Sequence, residues 1–237
     1  MFLFDFFLSE EKRIERQIRV LTDRDSQPED REAAAKWLAD NKSRVAILGM
    51  LQRFEMTLEH QMKDTTEKDA LYSRLVNLGA ELVVEPTQAW LKQGRQFAMP
   101  LRLLGELAGE RAAVDAAYGL LRHEHEKDDF KPDKKKGLLV WLAERKNIPE
   151  AVDEAAVFLT DFDEGVRYAA VEVCIAQGTE RAGEVLVAVV GNEKEESGRL
   201  KARVAEAFAQ KGWKAPESVA PFLHGGYRWK DGRIWGP

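Results

Sequence analysis

Two stretches of this chain lie on one another without a gap, and that self-similarity limits the fold more than any other feature. Residues 166–178 match residues 200–212, 34 positions further on. Each stretch opens on an apolar residue (Val166, Leu200), follows it with a cation (Arg167, Lys201), continues through a small-residue run and closes on a glycine (Gly178, Gly212). The same cation and apolar run recur around Arg31, four such periods earlier, and Phe97, Leu101 and Leu104 match Val166, Ala170 and Val173 two periods earlier. A period of roughly 34 residues holds two helices and their turns. One such hairpin cannot bury its apolar face alone, so the hairpins must stack.

The rest of the chain obeys the same arithmetic. Leu71, Leu75, Leu78 and Leu82 recur at helical offsets, as do Ile47, Leu51, Phe54 and Leu58, and Ala182, Val185, Leu186, Val189 and Val190. Gly79, Gly109, Gly178 and Gly212 follow apolar stripes, where a helix C-terminus favours a left-handed residue. Pro28, Pro132, Pro149 and Pro216 stand where helices start, and Ser26 with Glu29 and Asp161 with Glu164 have capping-box spacing. These signals predict helices at 9–22, 27–40, 43–62, 66–78, 80–92, 95–108, 110–125, 133–146, 149–159, 163–177, 180–190 and 197–211. They form six antiparallel pairs. The charged run 124–136 reads as an exposed loop inside the fourth pair. After Gly212 the character changes. Residues 215–223 read as a last short helix, and Asp231-Gly232 is the two-residue turn of a β-hairpin in which Trp229 opposes Ile234 and Arg228 opposes Trp235.

The stretch Asp163, Val166, Arg167 and Ala170 resembles the second helix of a HEAT-type repeat, close to the short HEAT-like repeats of phycobilisome lyase subunits. The likeness is strongest over residues 148–212 and weaker over 9–40 and 80–109. The tetratricopeptide repeat has the same period, but its tryptophan–leucine–glycine–tyrosine signature is absent. The periodicity reads as an all-α fold, and the resemblance implies an α-solenoid of about six helix pairs over 1–212, with a globular helical bundle lacking a superhelix as the alternative. Residues 213–237 read as a capping segment that carries a small hairpin or irregular tail. It also implies a ladder between neighbouring repeats, made by the acidic and arginine positions.

Composition narrows the function. The chain has 237 residues, 44% hydrophobic and 32% charged, with a net charge of −5, which speaks against a dedicated nucleic-acid binder. One cysteine, Cys174, excludes a disulfide framework and a cysteine-rich zinc site. Gly-rich phosphate loops, a Gly-x-Ser-x-Gly elbow and a His-Glu-x-x-His zinc motif are all missing. His123 and His125 are two apart on a helix and point about 200° from one another, so they read as surface imidazoles rather than metal ligands. Cys174 falls on an apolar stripe and reads as a core thiol. Glu193, Glu195 and Glu196 read as a solvated turn. No cofactor or metal is expected.

The expected function is therefore that of a non-enzymatic, cytoplasmic adaptor or scaffold binding a protein or peptide segment through the solenoid surface. Arg95, Arg167 and Lys201, joined by Arg31, are candidates for a row of cations along its inner wall, with the inter-repeat ladder as the competing role for Arg167. At the C-terminal end, Tyr227, Trp229 and Trp235 are candidates for a binding tip. At the other end Phe2, Phe4, Phe6 and Phe7 either cover the core or form a docking hook; Asp5 and the lack of a preceding cation argue against a signal peptide. The alternative reading is a DNA-binding or DNA glycosylase-type HEAT-like protein. Those enzymes use Trp and Asp on a basic concave surface, and the six tryptophans prompt the comparison.

Overall fold

A computed structural model describes residues 9–127 and 132–237. Among these, twelve α-helices run in the order α1 (Glu10–Thr22), α2 (Pro28–Asn41), α3 (Arg44–Gln52), α4 (Gln61–Leu78), α5 (Ala80–Leu91), α6 (Ala98–Ala108), α7 (Glu110–Glu126), α8 (Pro132–Ala143), α9 (Ala151–Ala156), α10 (Glu164–Gln177), α11 (Glu180–Val190) and α12 (Gly198–Lys211). A 3-10 turn, Glu217–Phe222, and an antiparallel pair, β1 (Arg228–Lys230) and β2 (Arg233–Trp235), complete the chain. The architecture is thus predominantly helical with a small C-terminal sheet.

Helix starts are set by short polar side chains that satisfy otherwise orphaned N–H groups. Ser9, Ser43, Asp163, Thr179 and Ser197 each accept from the backbone N–H three residues on. Both expected capping boxes shift in detail. Pro28 does open α2, but its cap is Gln27, and the Ser26 hydroxyl bonds Asp23 instead. Asp163, not Asp161, caps α10, and Asp161 accepts from the Asp163 N–H to shape the turn before it. Gly178 and Gly212 end their helices in the left-handed conformation, at φ 64° and 68°.

The larger departure lies at 43–62, where one helix was expected. The chain leaves α3 at Gln52, makes a 3-10 turn over Arg53–Glu55, and re-enters a helix at Gln61. Arg53 explains the break: its guanidinium turns inward and donates to the Met56 carbonyl and to Asp64 and Glu67 of α4. Glu55 points the other way and accepts from the N–H groups of Arg95 and Gln96. The apolar stripe continues through Phe54, so periodicity alone does not register the turn.

The chain divides into two compact units, Met1–Ala117 and Tyr118–Pro237, with the division inside α7. In the first unit α1, α3 and α5 pack in succession, as do α2, α4 and α6. Gly49 of α3 brings that helix so close to α1 that an added Cβ would meet Ile18. In the second unit α8, α10 and α12 pack in succession, and α9 packs on α11.

The last residues form a cap on this second unit. Trp213 is buried, with its ring against Gly183 of α11 and edge-on to Phe208 at 5.4 Å. Ala215 donates to the Gly232 carbonyl, Lys214 bridges to Arg233, and the Trp229 indole donates to the Ala215 carbonyl at 2.8 Å. Ile234 is buried beneath the sheet. An isolated two-stranded hairpin is marginal in water; this one is held by its underside.

Candidate functional site

The expected row of cations is built into the fold rather than presented on a wall. Arg31, Arg167 and Lys201 all occupy the fourth position of a second helix, in α2, α10 and α12. Arg167 makes a two-pronged ion pair with Glu195, at 2.8 and 3.0 Å, and its remaining nitrogen donates to the carbonyls of Asp161 and Phe162. Arg31 repeats the pattern: a two-pronged pair with Glu67, at 2.7 and 2.9 Å, and bonds to loop carbonyls including that of Ser26. Lys201 is buried, with its ammonium 5.4 Å from the ring centroid of Phe222. Lys135, at the same position of α8, pairs with Asp161 at 3.1 Å. In the second unit the fourth-position cation therefore reaches the turn that opens the next second helix twice, Lys135 to Asp161 and Arg167 to Glu195, while Lys201 of the last helix reaches Phe222 at the end of the 3-10 turn that follows it. Glu195 is consequently buried, not solvated. Arg95 alone of the four is exposed.

In the first unit the matching contact sits in a denser network. Arg53 is 1% exposed and lies between Asp64, at 2.9 Å, and Glu67, at 3.0 Å; Lys68 completes the pairing of Asp64 at 2.7 Å. Burial works against ionising Glu67, but hydrogen bonds from Arg31 and Arg53 outweigh it and hold the carboxyl below its ordinary range. Asp64 is lowered in the same way, against burial, by Lys68 and Arg53. Neither the Arg53–Asp64 pair nor Glu195 stands out in the sequence, because the partners are set by where the turn places them.

At the C-terminal end the hairpin has two unlike faces. Trp229 and Ile234 are cross-strand partners on the inner one. Arg228 opposes Trp235 and Lys230 opposes Arg233 on the outer one, and all four are exposed. Trp235, 56% exposed, donates its indole N–H to the Lys230 carbonyl at 3.3 Å. Tyr227 is half-buried beside the strand. Of the three aromatic candidates, Trp235 is presented outward and Trp229 is spent on docking. The register already carried that signal, since two apolar partners on one face turn inward. It also marks Arg228, Lys230 and Arg233 as members of the outer face.

A groove of about 430 Å³ opens between α8 and α10, with Val140, Ala143, Gly165, Tyr168 and Ala169 along it and Arg199 stacked over the Tyr168 ring at 4.6 Å. Lys136, Glu144 and Glu172 also line it, and Glu172 is paired with Arg203 at 2.6 Å. Further groups with catalytic potential are engaged within the fold. Burial pushes the Cys174 thiol up to about 12, leaving it protonated at neutral pH. The buried carboxylates Asp64, Glu124 and Glu195 are all paired with cations. His125 stacks edge-on to Phe158 at 5.3 Å. Among the described residues no three His, Cys, Asp or Glu side chains are grouped to hold a metal ion, and no helix is long and apolar enough to cross a membrane. Phe2, Phe4, Phe6 and Phe7 lie outside the described residues.

No protein-family model matches the chain, and no curated protein matches it.

Proposed function

We propose that the chain is a HEAT-like helical-repeat scaffold, of the α-solenoid kind, that holds a protein or peptide segment rather than transforming a substrate. The carrying observation is the repeated cation contact: Lys135 and Arg167, at one helix position, each reach the turn opening the following second helix, and Lys201 at the same position of the last helix reaches the 3-10 turn after it. A structural unit repeated by a shared inter-pair contact is how stacked hairpins build an extended binding surface. Further support comes from the engagement of Cys174 and of the buried carboxylates within the fold. A cytoplasmic setting suits a chain whose one thiol is enclosed.

The test is capture by the immobilised full-length chain from a native lysate, followed by direct binding of the purified partner. The expected result is saturable binding with the partner recovered chemically unchanged. Recovery of a modified product, or no retention above an uncoupled surface, contradicts the reading.

A further inference from the structure

We infer that the outer face of the C-terminal hairpin is a preformed docking surface for a short acidic polypeptide segment carrying an apolar or aromatic residue. This rests on the scaffold reading and gives it a location and a ligand chemistry.

Charge sets this segment apart. Residues 211–237 hold five cations (Lys211, Lys214, Arg228, Lys230, Arg233) and two acids (Glu217, Asp231), a balance of +3 in a chain of −5 overall; the remainder is therefore −8. Elsewhere arginines are mostly paired: Arg31, Arg44, Arg53, Arg74, Arg167, Arg181 and Arg203 all meet carboxylates. Among the described residues Arg228, Lys230 and Arg233 have no ion pair within the chain.

The outer face also carries a cost. Lys230 and Arg233 are direct cross-strand partners on one exposed face, an arrangement that is destabilising because like charges are held side by side. Folding alone gains nothing from it, whereas an anion seated between the strands relieves it. The surface is rigid before anything binds. The buried Ile234, the Trp229–Ala215 bond and the Ala215–Gly232 bond fix the strands from below, and the Trp235 indole is tied across to Lys230. Such preorganisation lowers the ordering cost of binding.

The dimensions select a peptide. Arg228 and Lys230 are two residues apart on β1, so their side chains leave the same face about 7 Å apart. Alternate carboxylates of an extended acidic segment have that same spacing, and the Trp235 ring offers one apolar contact beside them. A short segment with that repeat keeps its carboxylates within a Debye length, about 8–10 Å, of the three cations.

Fluorescence anisotropy of the full-length chain with a labelled Glu/Asp-rich peptide containing one Phe tests this. The comparison ligands are its Gln/Asn counterpart, single-stranded oligothymidylate, and phosphatidylcholine vesicles with and without phosphatidylserine. The acidic peptide is expected to bind, to weaken as salt rises, and to lose at least about tenfold in affinity in the triple variant Arg228→Glu, Lys230→Glu, Arg233→Glu. The single variant Lys230→Glu, which turns a like-charge pair into an opposite one, should melt no lower than the wild type, so a binding loss there is not a folding loss. Absence of acidic-peptide binding, or binding that survives the triple variant, overturns the proposal. Tighter binding of the oligonucleotide or the serine-lipid vesicles at the same residues overturns it in favour of phosphate. If a lysate partner is still captured by the triple variant, only the hairpin placement fails. If the wild type binds the peptide but retains no lysate protein, the scaffold reading fails instead.

Discussion

Arg31 and Arg167 hold the same helix position and make the same two kinds of contact, yet their surroundings differ, and the difference separates what repeats in this chain from what does not. Arg167 meets an acceptor in a turn, Glu195, and its side chain stays 17% exposed. Arg31 meets Glu67 within α4, where a second guanidinium, Arg53, competes for the same carboxylate and is sealed at 1% exposure. The second unit thus repeats one contact from helix to helix. The first concentrates several charges in one buried cluster, at the place where the chain breaks out of α3.

The sharpest way to break the comparison is to remove the sealed cation. Arg53→Ala leaves Asp64 and Glu67 underpaired in a buried setting and should destabilise by about 3–5 kcal/mol, read by urea denaturation. Arg167→Ala should cost about 1–3 kcal/mol, since the buried Glu195 keeps the Ser197 N–H as a donor and the departing side chain is itself partly exposed. An Arg53 effect no larger than that of Arg167 would remove the distinction between the two regions. At the other end of the second unit, Gly183→Val presses on the Trp213 ring, which already lies within about 3 Å of a Cβ there. Overpacking of this kind costs about 1–3 kcal/mol, and Trp fluorescence should report the displaced ring.

Much of the local structure was legible beforehand. The helix positions, the left-handed glycines and the hairpin register follow from local chemistry, because spacing, capping and turn preference act over a few residues. The turn at 53–60 does not, because Phe54 keeps the stripe intact while Arg53 is drawn to acceptors that only α4 supplies. The cations of the presumed inner wall illustrate the same limit. A repeated Arg or Lys marks a repeated position, but whether it faces solvent depends on the acceptor opposite, and Glu195 gives no local sign of being one. On the hairpin the register was legible but the inward face was missed: by sequence Trp229 groups with Tyr227 and Trp235 as a binding tip, whereas its pairing with the buried Ile234 turns it inward and leaves Arg228, Lys230, Arg233 and Trp235 outside.

Acid gives a gentler probe of the first unit. Glu67 and Asp64 are held below their ordinary pKa in the fold, so the unfolded chain takes up more protons as the pH drops. Their contribution is complete above the unfolded value of about 4 and is lost as pH falls towards the folded values. Glu67→Gln should flatten that acid limb in thermal melts across pH 3–6, at the expense of lower stability at pH 7; an unchanged limb would mean other carboxylates dominate it. A smaller effect is expected at Lys201, where replacement by Met retains the stem packed near Phe222 and loses about 1 kcal/mol or less of cation–ring attraction. Exposed pairs such as Arg44–Glu85 should be silent in the same assay.

The chain holds two kinds of cation, those paired within the fold and those exposed on the hairpin. One crossed measurement separates them: melting temperature and acidic-peptide affinity determined on the same two full-length variants, Arg167→Ala and the Arg228/Lys230/Arg233 charge reversal. The expected result is a lower melting temperature with unchanged affinity for the first, and lost affinity with an unchanged melting temperature for the second. Loss of peptide affinity in Arg167→Ala, with the hairpin reversal binding as the wild type does, would contradict the account.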